Sequence, residues 1–436
     1  MKSIIHKLVR TLPDEFVFGS SFRKAEKIEK EYLASADKAD FIAAYQQAQL
    51  EKIISIAEKA PHYRNIRDFK NFEDIPFTNK NSMQDDVERY VVDKRAADLC
   101  STGGTTSGHP LKFYIDKSRK GFEWYWMAKY NWGQVGFKTG DYRAVLRNHK
   151  LNGAKHNVNH LLKEVQFDNH ALKDAYLDYV IDYIVKHDLK FVHAYPSAAF
   201  LLAKRIYVTN RETPIVAFLS GSEAVFDNQK NLIQNILSKR IYTWYGHSEK
   251  LILAAETAHC ENYHVNPFYG YAEIIDNNGN VVNTPGEWGE LVGTGFMNTR
   301  MPFIRYRTED EAEFMGYVCP DCGRVGLTFK NVVGRRGKDV IYKDDGSMIT
   351  TSSMMLDYGI YQYIKGVQYY QRRKGELIIR IVPQKNYDAS IRQKVLDIML
   401  PRFRDGLKIE LVEVESLEYT KNNKLKLLIQ EMEPAF

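Results

Sequence analysis

At 436 residues, 44% hydrophobic and 27% charged, the chain is long enough for more than one buried core, and its balance excludes a fibrous or wholly disordered protein. Its net charge of +6 is spread along the sequence, which suits anionic small ligands and excludes the concentrated basic stripe of a nucleic-acid-binding protein. No apolar run reaches the roughly 18 residues of a membrane span, and MKSIIHKLVRTLPDEF has too short an apolar block for a signal peptide, so the expected location is the cytoplasm.

Residues 1 to about 95 read as helical: Lys24 to Ala60 spaces apolar residues among Lys, Glu and Gln, and Pro61 and Pro76 interrupt the pattern. Next comes Ser101 to Asp116, STGGTTSGHPLKFYID, with five hydroxyl residues and three glycines in its first eight positions. Gly103, Gly104 and Gly108 free the backbone for close approach to a ligand, and Ser101, Thr102, Thr105, Thr106 and Ser107 add hydroxyl donors. Such a loop can wrap polyphosphate oxygens. It lacks the GxxxxGK[ST] pattern of a Walker loop and also reads as a plain polar turn.

Strand-like and helix-like segments then alternate. Strands are expected at Leu111–Ile115, Tyr142–Leu146, Phe191–Ala194, Ile215–Leu219 and Ile241–Trp244. Helices are expected at Ser118–Trp132, Leu172–Lys186, Ser197–Tyr207 and Gln229–Lys239. This alternation predicts an α/β fold with ligands beyond the carboxyl ends of the strands, where SGSEA (220–224) and YGHSE (245–249) fall. From about 251 to 333 consecutive strands (Leu251–Thr257, Tyr271–Ile275, Gly289–Thr294, Phe303–Tyr306) predict an antiparallel β subdomain. The expected division is 1–336 for a large N-terminal domain and 337–436 for a small α+β C-terminal domain.

STGGTTSGHPLKFY (101–114), SGSEA (220–224), WYGHSE (244–249), GEWGELVGTG (286–295), MPFIRYRTED (301–310), GRRGKDVI (334–341) and EYTKNNKLK (418–426) occur in a fixed order. With PHYRNI (61–66) and IPFTNK (75–80), this set resembles the adenylate-forming, acyl-CoA synthetase-like superfamily along nearly the whole chain. The branch it looks most like is that of phenylacetate–CoA ligase-like and capsular-polysaccharide-biosynthesis proteins. The resemblance implies a ligase that activates a carboxylic acid with ATP and Mg²⁺, releases pyrophosphate, and passes the acyl group to CoA. It also implies alternatives: transfer to an amine or hydroxyl of a sugar in surface-polysaccharide synthesis, or an inactive nucleotide-binding homologue. No nucleic-acid partner is implied, and a homodimer is compatible with the reading.

Carried over residue by residue, the resemblance gives the loop Ser101, Thr102, Gly103, Gly104, Thr105, Thr106 and Gly108 to the β- and γ-phosphates. Ser222 and Glu223 fall to the adenine side, with Tyr245, next to Gly246, stacking on adenine. Glu249 becomes the Mg²⁺ ligand, a hard cation preferring carboxylate oxygen. Asp310 accepts from the ribose hydroxyls, Arg335 reaches ribose or phosphate, and Lys424 is the catalytic lysine. Each also has a structural reading: core aromatic for Tyr245, turn residue for Glu249, surface ion pair for Arg335, basic tail for Lys424. The chain departs from the family pattern at Glu309, at Gly337 and Lys338, and at Asn423.

Cys260-x3-His264 and Cys319-Pro-Asp-Cys322 supply three thiolates and an imidazole, a donor set for a closed structural zinc site. The other reading is two unrelated thiol pairs. His193 to Ser197 and Trp124-Tyr125-Trp126 either border the acyl pocket or pack in the core.

Overall fold

The computed structural model describes residues 12, 14–102, 111–147, 149–169, 171–222, 225, 227–333, 340–345, 348–350, 363–403, 406–418 and 428–431. The chain divides into two compact units, Met1–Leu99 with Tyr114–Val332, and Cys100–Phe113 with Val333–Phe436.

A hairpin of β1 (Ala97–Ser101) and β2 (Lys112–Asp116) flanks the Ser/Thr/Gly loop. The large sheet is built from β3 (Arg143–Leu146), β4 (Asn157–Asn159), β5 (Glu164–Gln166), β6 (Phe191–Ala194), β7 (Ala217–Gly221) and β8 (Arg240–Gly246), continued by β9 (Leu253–Ala255), β10 (Tyr263–Val265), β11 (Gly270–Ile275), β12 (Trp288–Gly295), β13 (Tyr306–Val318) and β14 (Val325–Val333). Their order across the sheet is β11-β12-β13-β14-β10-β9-β8-β7-β6-β3-β5-β4. The strands β5-β3-β6-β7-β8 run parallel, and β8 pairs antiparallel with β9. The antiparallel strands expected as a subdomain therefore extend the same sheet, and β8 is where parallel pairing gives way to antiparallel.

The parallel strands are covered on both faces, as their apolar runs require. On one face the helices Asp174–Lys186 and Pro196–Val208 bury Val180, Ile181, Ile184, Leu202 and Ile206 against Val192, Phe218 and Ile241. On the other, Trp132 and Phe137 pack on Phe191, Leu219 and Tyr242. The amino-terminal helix Ser20–Ala34 seats Phe22, Ala25 and Ile28 on Tyr125, Trp126 and Phe268. The following helix, Lys38–Ala57, starts where the Asp37 carboxylate accepts from the Ala39 and Asp40 N–H groups.

Several segments differ from the sequence expectation, among them the helix expected over Gln229–Lys239, which is α-helical over Asp227–Lys230 and π-helical over Asn231–Ile236. The helix expected over Ser118–Trp132 is α-helical only over Arg119–Trp124; it widens into a π-helical turn over Tyr125–Asn131, where the successive large rings of Tyr125 and Trp126 are both fully buried. The strand expected at Phe303–Tyr306 starts instead at Tyr306, because Arg305 has φ 45°, a left-handed conformation that no strand accommodates. The strand expected over Leu251–Thr257 shrinks to Leu253–Ala255, after a turn in which Lys250 has φ 61°.

The second unit holds a two-stranded ribbon, β15 (Val340–Tyr342) with β16 (Met348–Thr350), and a four-stranded sheet. That sheet comprises β17 (Ile364–Gln371), β18 (Glu376–Pro383), β19 (Lys408–Glu413) and β20 (Leu428–Gln430), in the order β19-β18-β17-β20. The helix Ala389–Phe403 makes the crossover from β18 to the parallel β19, with Val395 against Tyr369, Ile379 and Ile381.

Candidate active site

The stem of the Ser/Thr/Gly loop is closed by Thr102. Its N–H donates to the Leu111 carbonyl and its hydroxyl accepts from the Leu111 N–H, both at 2.9 Å. The Ser101 hydroxyl donates to the Thr102 carbonyl at 3.2 Å. Asn298 fixes β2, donating to the Tyr114 carbonyl at 2.9 Å and accepting from the Asp116 N–H at 3.2 Å. Gly103, Gly104, Thr105, Thr106 and Gly108 lie outside the described residues, as do Glu223, Arg335 and Lys424.

The sheet brings Tyr245, Gly246, Glu249 and Asp310 to one corner at the carboxyl end of β8. The Tyr245 hydroxyl donates to Asp310 Oδ2 at 2.9 Å, and its ring lies edge-on to Phe329. Burial, then the Asp310 carboxylate, hold the Tyr245 phenol well above the usual tyrosine range, so it remains a donor. Beyond Gly246 the chain turns, and Glu249 is buried between two hydrogen-bond donors. Tyr306 donates to its Oε1 at 3.2 Å, and His247 Nδ1 stands 3.2 Å from its Oε2. The Ile252 N–H donates to His247 Nε2 at 3.3 Å, which puts the imidazole proton on Nδ1, facing Glu249. Burial pushes the Glu249 carboxyl up; the hydrogen bond and charge interaction with His247, then its own backbone N–H and the Tyr306 hydroxyl, outweigh it and hold the carboxyl below its ordinary value. Among the described residues no Lys or Arg pairs with Glu249.

Asp310 owes its position to a bulge. Val292 pairs with Arg307 and Glu290 with Glu311, so Thr308, Glu309 and Asp310 oppose the single residue Leu291. Glu309 sits at φ 61°, where a glycine would be at ease, and its N–H is held by Glu290 at 2.7 Å. The departure at Glu309 thus leaves the left-handed turn in place. Ser222 directly follows β7 at φ 73°, and its hydroxyl accepts from Arg147 at 2.8 Å. Strained backbone at Ser222, next to Glu249 and next to Asp310 matches its usual concentration at functional sites. Sequence reasoning did not single out His247 or Tyr306. Both lie inside the quoted motifs, WYGHSE and MPFIRYRTED, and that was the available signal.

The four donor atoms of Cys260, His264, Cys319 and Cys322 all lie within 4.8 Å of one another. Around a tetrahedral zinc with Zn–S bonds of ~2.3 Å, neighbouring sulfurs stand ~3.8 Å apart. Cys260 Sγ and Cys319 Sγ are 3.8 Å apart, and Cys322 Sγ is 3.2 Å from His264 Nε2. His264 Nδ1 faces the Ala255 carbonyl at 3.3 Å, an outer contact that leaves Nε2 unprotonated for a metal. The Cys319–Cys322 turn is closed by the Gly323 N–H on the Cys319 carbonyl, with Gly323 at φ 70°. These residues fit zinc.

Of the two segments weighed for an acyl pocket, Tyr125 and Trp126 pack in the core against Phe22 and Phe268, and Trp124 lies beside Trp132 and Phe18. His193 instead faces Arg147 and Trp132 at the carboxyl ends of β3 and β6.

No family model matches the chain. Protein CapK of Staphylococcus aureus is 22% identical over 349 residues, covering 77% of this chain and 74% of that protein. Among solved structures, 2-hydroxyisobutyryl-CoA ligase with 2-HIB-AMP and CoA in the thioesterification state aligns with a TM-score of 0.58 at 19% identity, over 89% of this chain and 90% of that one. An open conformation of the same ligase aligns with a TM-score of 0.54 at 18% identity, over 90% and 91%. Over nine-tenths of its length, therefore, this chain has the fold of an acyl-CoA ligase-like adenylate-forming enzyme.

Proposed function

We propose that the protein is an ATP-dependent ligase that activates a carboxylic acid as its acyl-adenylate and then transfers the acyl group, with the thiol of CoA as the acceptor. The observation that carries this reading is Glu249. A buried carboxylate, oriented by His247 and Tyr306 and without a Lys or Arg pair among the described residues, is a ready ligand for a hard divalent cation. Magnesium bound there would neutralise charge on the phosphates. Asp310, presented by its bulge, would accept from the ribose hydroxyls, and the Tyr245 ring would lie against adenine. The substrate carboxylate attacks the α-phosphorus, the bond to the β-phosphate bridging oxygen breaks, and pyrophosphate leaves. Lys424, Arg335 and the 101–108 loop would stabilise the charge that develops on the phosphates. The thiolate then attacks the acyl carbonyl, and AMP departs. The Cys260, His264, Cys319 and Cys322 set would hold zinc in a closed structural role, with no open position for chemistry.

A second reading keeps adenylation and changes the acceptor to an amine or hydroxyl of a sugar. It is favoured by Gly337, Lys338 and Asn423, which depart from the CoA-ligase pattern, and it sits with the similarity to CapK.

Pyrophosphate release with ATP, Mg²⁺ and a panel of aryl, acyl, amino and sugar acids, run with and without CoA, tests both readings. Acid-dependent release that falls by ~10²-fold or more in Glu249→Gln and Lys424→Ala is the expected result. A further rise with CoA selects the thioester. ATP binding without release for any acid contradicts the ligase assignment.

A further inference from the structure

Two arginines on β3 and its end face the same side of the sheet, and they are satisfied in opposite ways. Arg143 is 1% exposed; it pairs with Glu164 at 2.5 Å, donates to the Leu162 carbonyl at 2.7 Å and lies against the Trp124 and Trp132 rings. Its charge is compensated inside the fold. Arg147, two strand repeats further on, is half-buried and its bonded partners are neutral: Nη1 donates to His193 Nε2 at 2.5 Å, Nη2 to the Ser222 hydroxyl, and the guanidinium lies 4.8 Å from the Tyr195 ring centre. Among the described residues no carboxylate pairs with it, and most of its N–H donors remain for a ligand.

A guanidinium can only donate, so His193 Nε2 accepts and its proton sits on Nδ1. That Nδ1 is buried without a partner, and so is Nε1 of Trp132, whose ring centre is 4.9 Å from that of His193. Burial, with Arg147, Arg143 and His149 close by, keeps the imidazole neutral. The Trp244 ring, 5.7 Å from both Trp132 and His193, closes the group over Gly221, where an added Cβ would come within 2.7 Å of the indole. Trp244 points away from Tyr245, its neighbour along β8, so this cluster and the Tyr245–Asp310 pair occupy opposite faces. A planar cation without a carboxylate partner among the described residues, at the carboxyl ends of parallel strands, fits an oxyanion with two coplanar oxygens.

We infer that Arg147 is a specificity residue that binds a second carboxylate on the acid to be activated, making the substrate a dicarboxylic acid, with His193 positioning the guanidinium. This rests on the adenylation reading for the reaction but not for the binding. The test is calorimetric binding of succinate, glutarate and adipate and of their monomethyl esters, alongside pyrophosphate release with the same acids. Wild type, Arg147→Lys and Arg147→Met are compared after circular dichroism confirms folding. At least one diacid should bind tenfold or more tightly than its ester to wild type. The preference should shrink in Arg147→Lys and vanish in Arg147→Met. An unchanged preference in Arg147→Met, a wild-type preference for the esters, or no binding of any diacid overturns the inference. Release driven equally by esters and diacids in all three proteins overturns it while leaving adenylation standing. Diacid binding that depends on Arg147 without pyrophosphate release leaves the anion subsite standing and removes the adenylation reading.

Discussion

Glu249 and Glu273 are both buried, 8% and 4% exposed, in the same unit of the fold, and they are balanced differently. Glu273 meets Arg305 in a two-pronged pair, Oε1 to Nη2 at 2.8 Å and Oε2 to Nε at 3.1 Å. Arg305 also donates to the Ile75 carbonyl at 2.9 Å and to that of Glu73, tying the 73–75 segment to the sheet. That carboxylate has its cation already. Glu249 has two hydrogen-bond donors, His247 and Tyr306, and no Lys or Arg partner among the described residues. Burial alone does not mark a functional acid; the informative feature is a buried charge whose compensation is missing. The Cys/His cluster is a third case, three sulfurs and an imidazole converging on a common centre.

Each kind of compensation breaks differently. The largest effect is expected at the cysteines. Chelator treatment, or Cys319→Ala, should lower the unfolding midpoint by roughly 10 °C or more, because a structural metal contributes its binding free energy to folding. Differential scanning calorimetry, with metal analysis of the purified protein, checks this, and an unchanged midpoint with no bound zinc would return the cysteines to ordinary core thiols. Next comes Arg305→Met, which strands the Glu273 carboxylate and should cost about 3–5 kcal/mol in urea unfolding. The smallest effect concerns the bulge. Glu309→Gly should stay within about 1 kcal/mol of wild type, whereas Glu309→Val forces a β-branched residue into the left-handed region and should cost about 1–2 kcal/mol. Equal stabilities for the two variants would remove strain at 309 from the account.

The sequence shows the parallel half of the sheet clearly. Phe191–Ala194 is a strand to the residue, because a short, largely apolar run flanked by helical patterns has few other solutions. The ordered motifs point to Tyr245, Glu249 and Asp310, and the thiol spacing points to the Cys/His set. What was hidden depends on contacts distant in sequence. No local pattern announces that residue 306 would supply a hydroxyl to residue 249, or that the antiparallel strands continue the parallel sheet. The widened turn at Tyr125–Asn131 and the left-handed Arg305 also escape propensity, since packing and a buried ion pair override it there. Arg147 carries no motif; its significance appears only when no carboxylate proves to pair with it among the described residues.

The central claim is that Glu249 awaits a divalent cation. The most direct measurement is Mn²⁺ binding by electron paramagnetic resonance in the presence of a non-hydrolysable ATP analogue, for wild type and a folded Glu249→Gln. The account predicts a nucleotide-dependent Mn²⁺ site in wild type whose affinity falls at least tenfold in the variant. Equal Mn²⁺ affinity in the two proteins would contradict it.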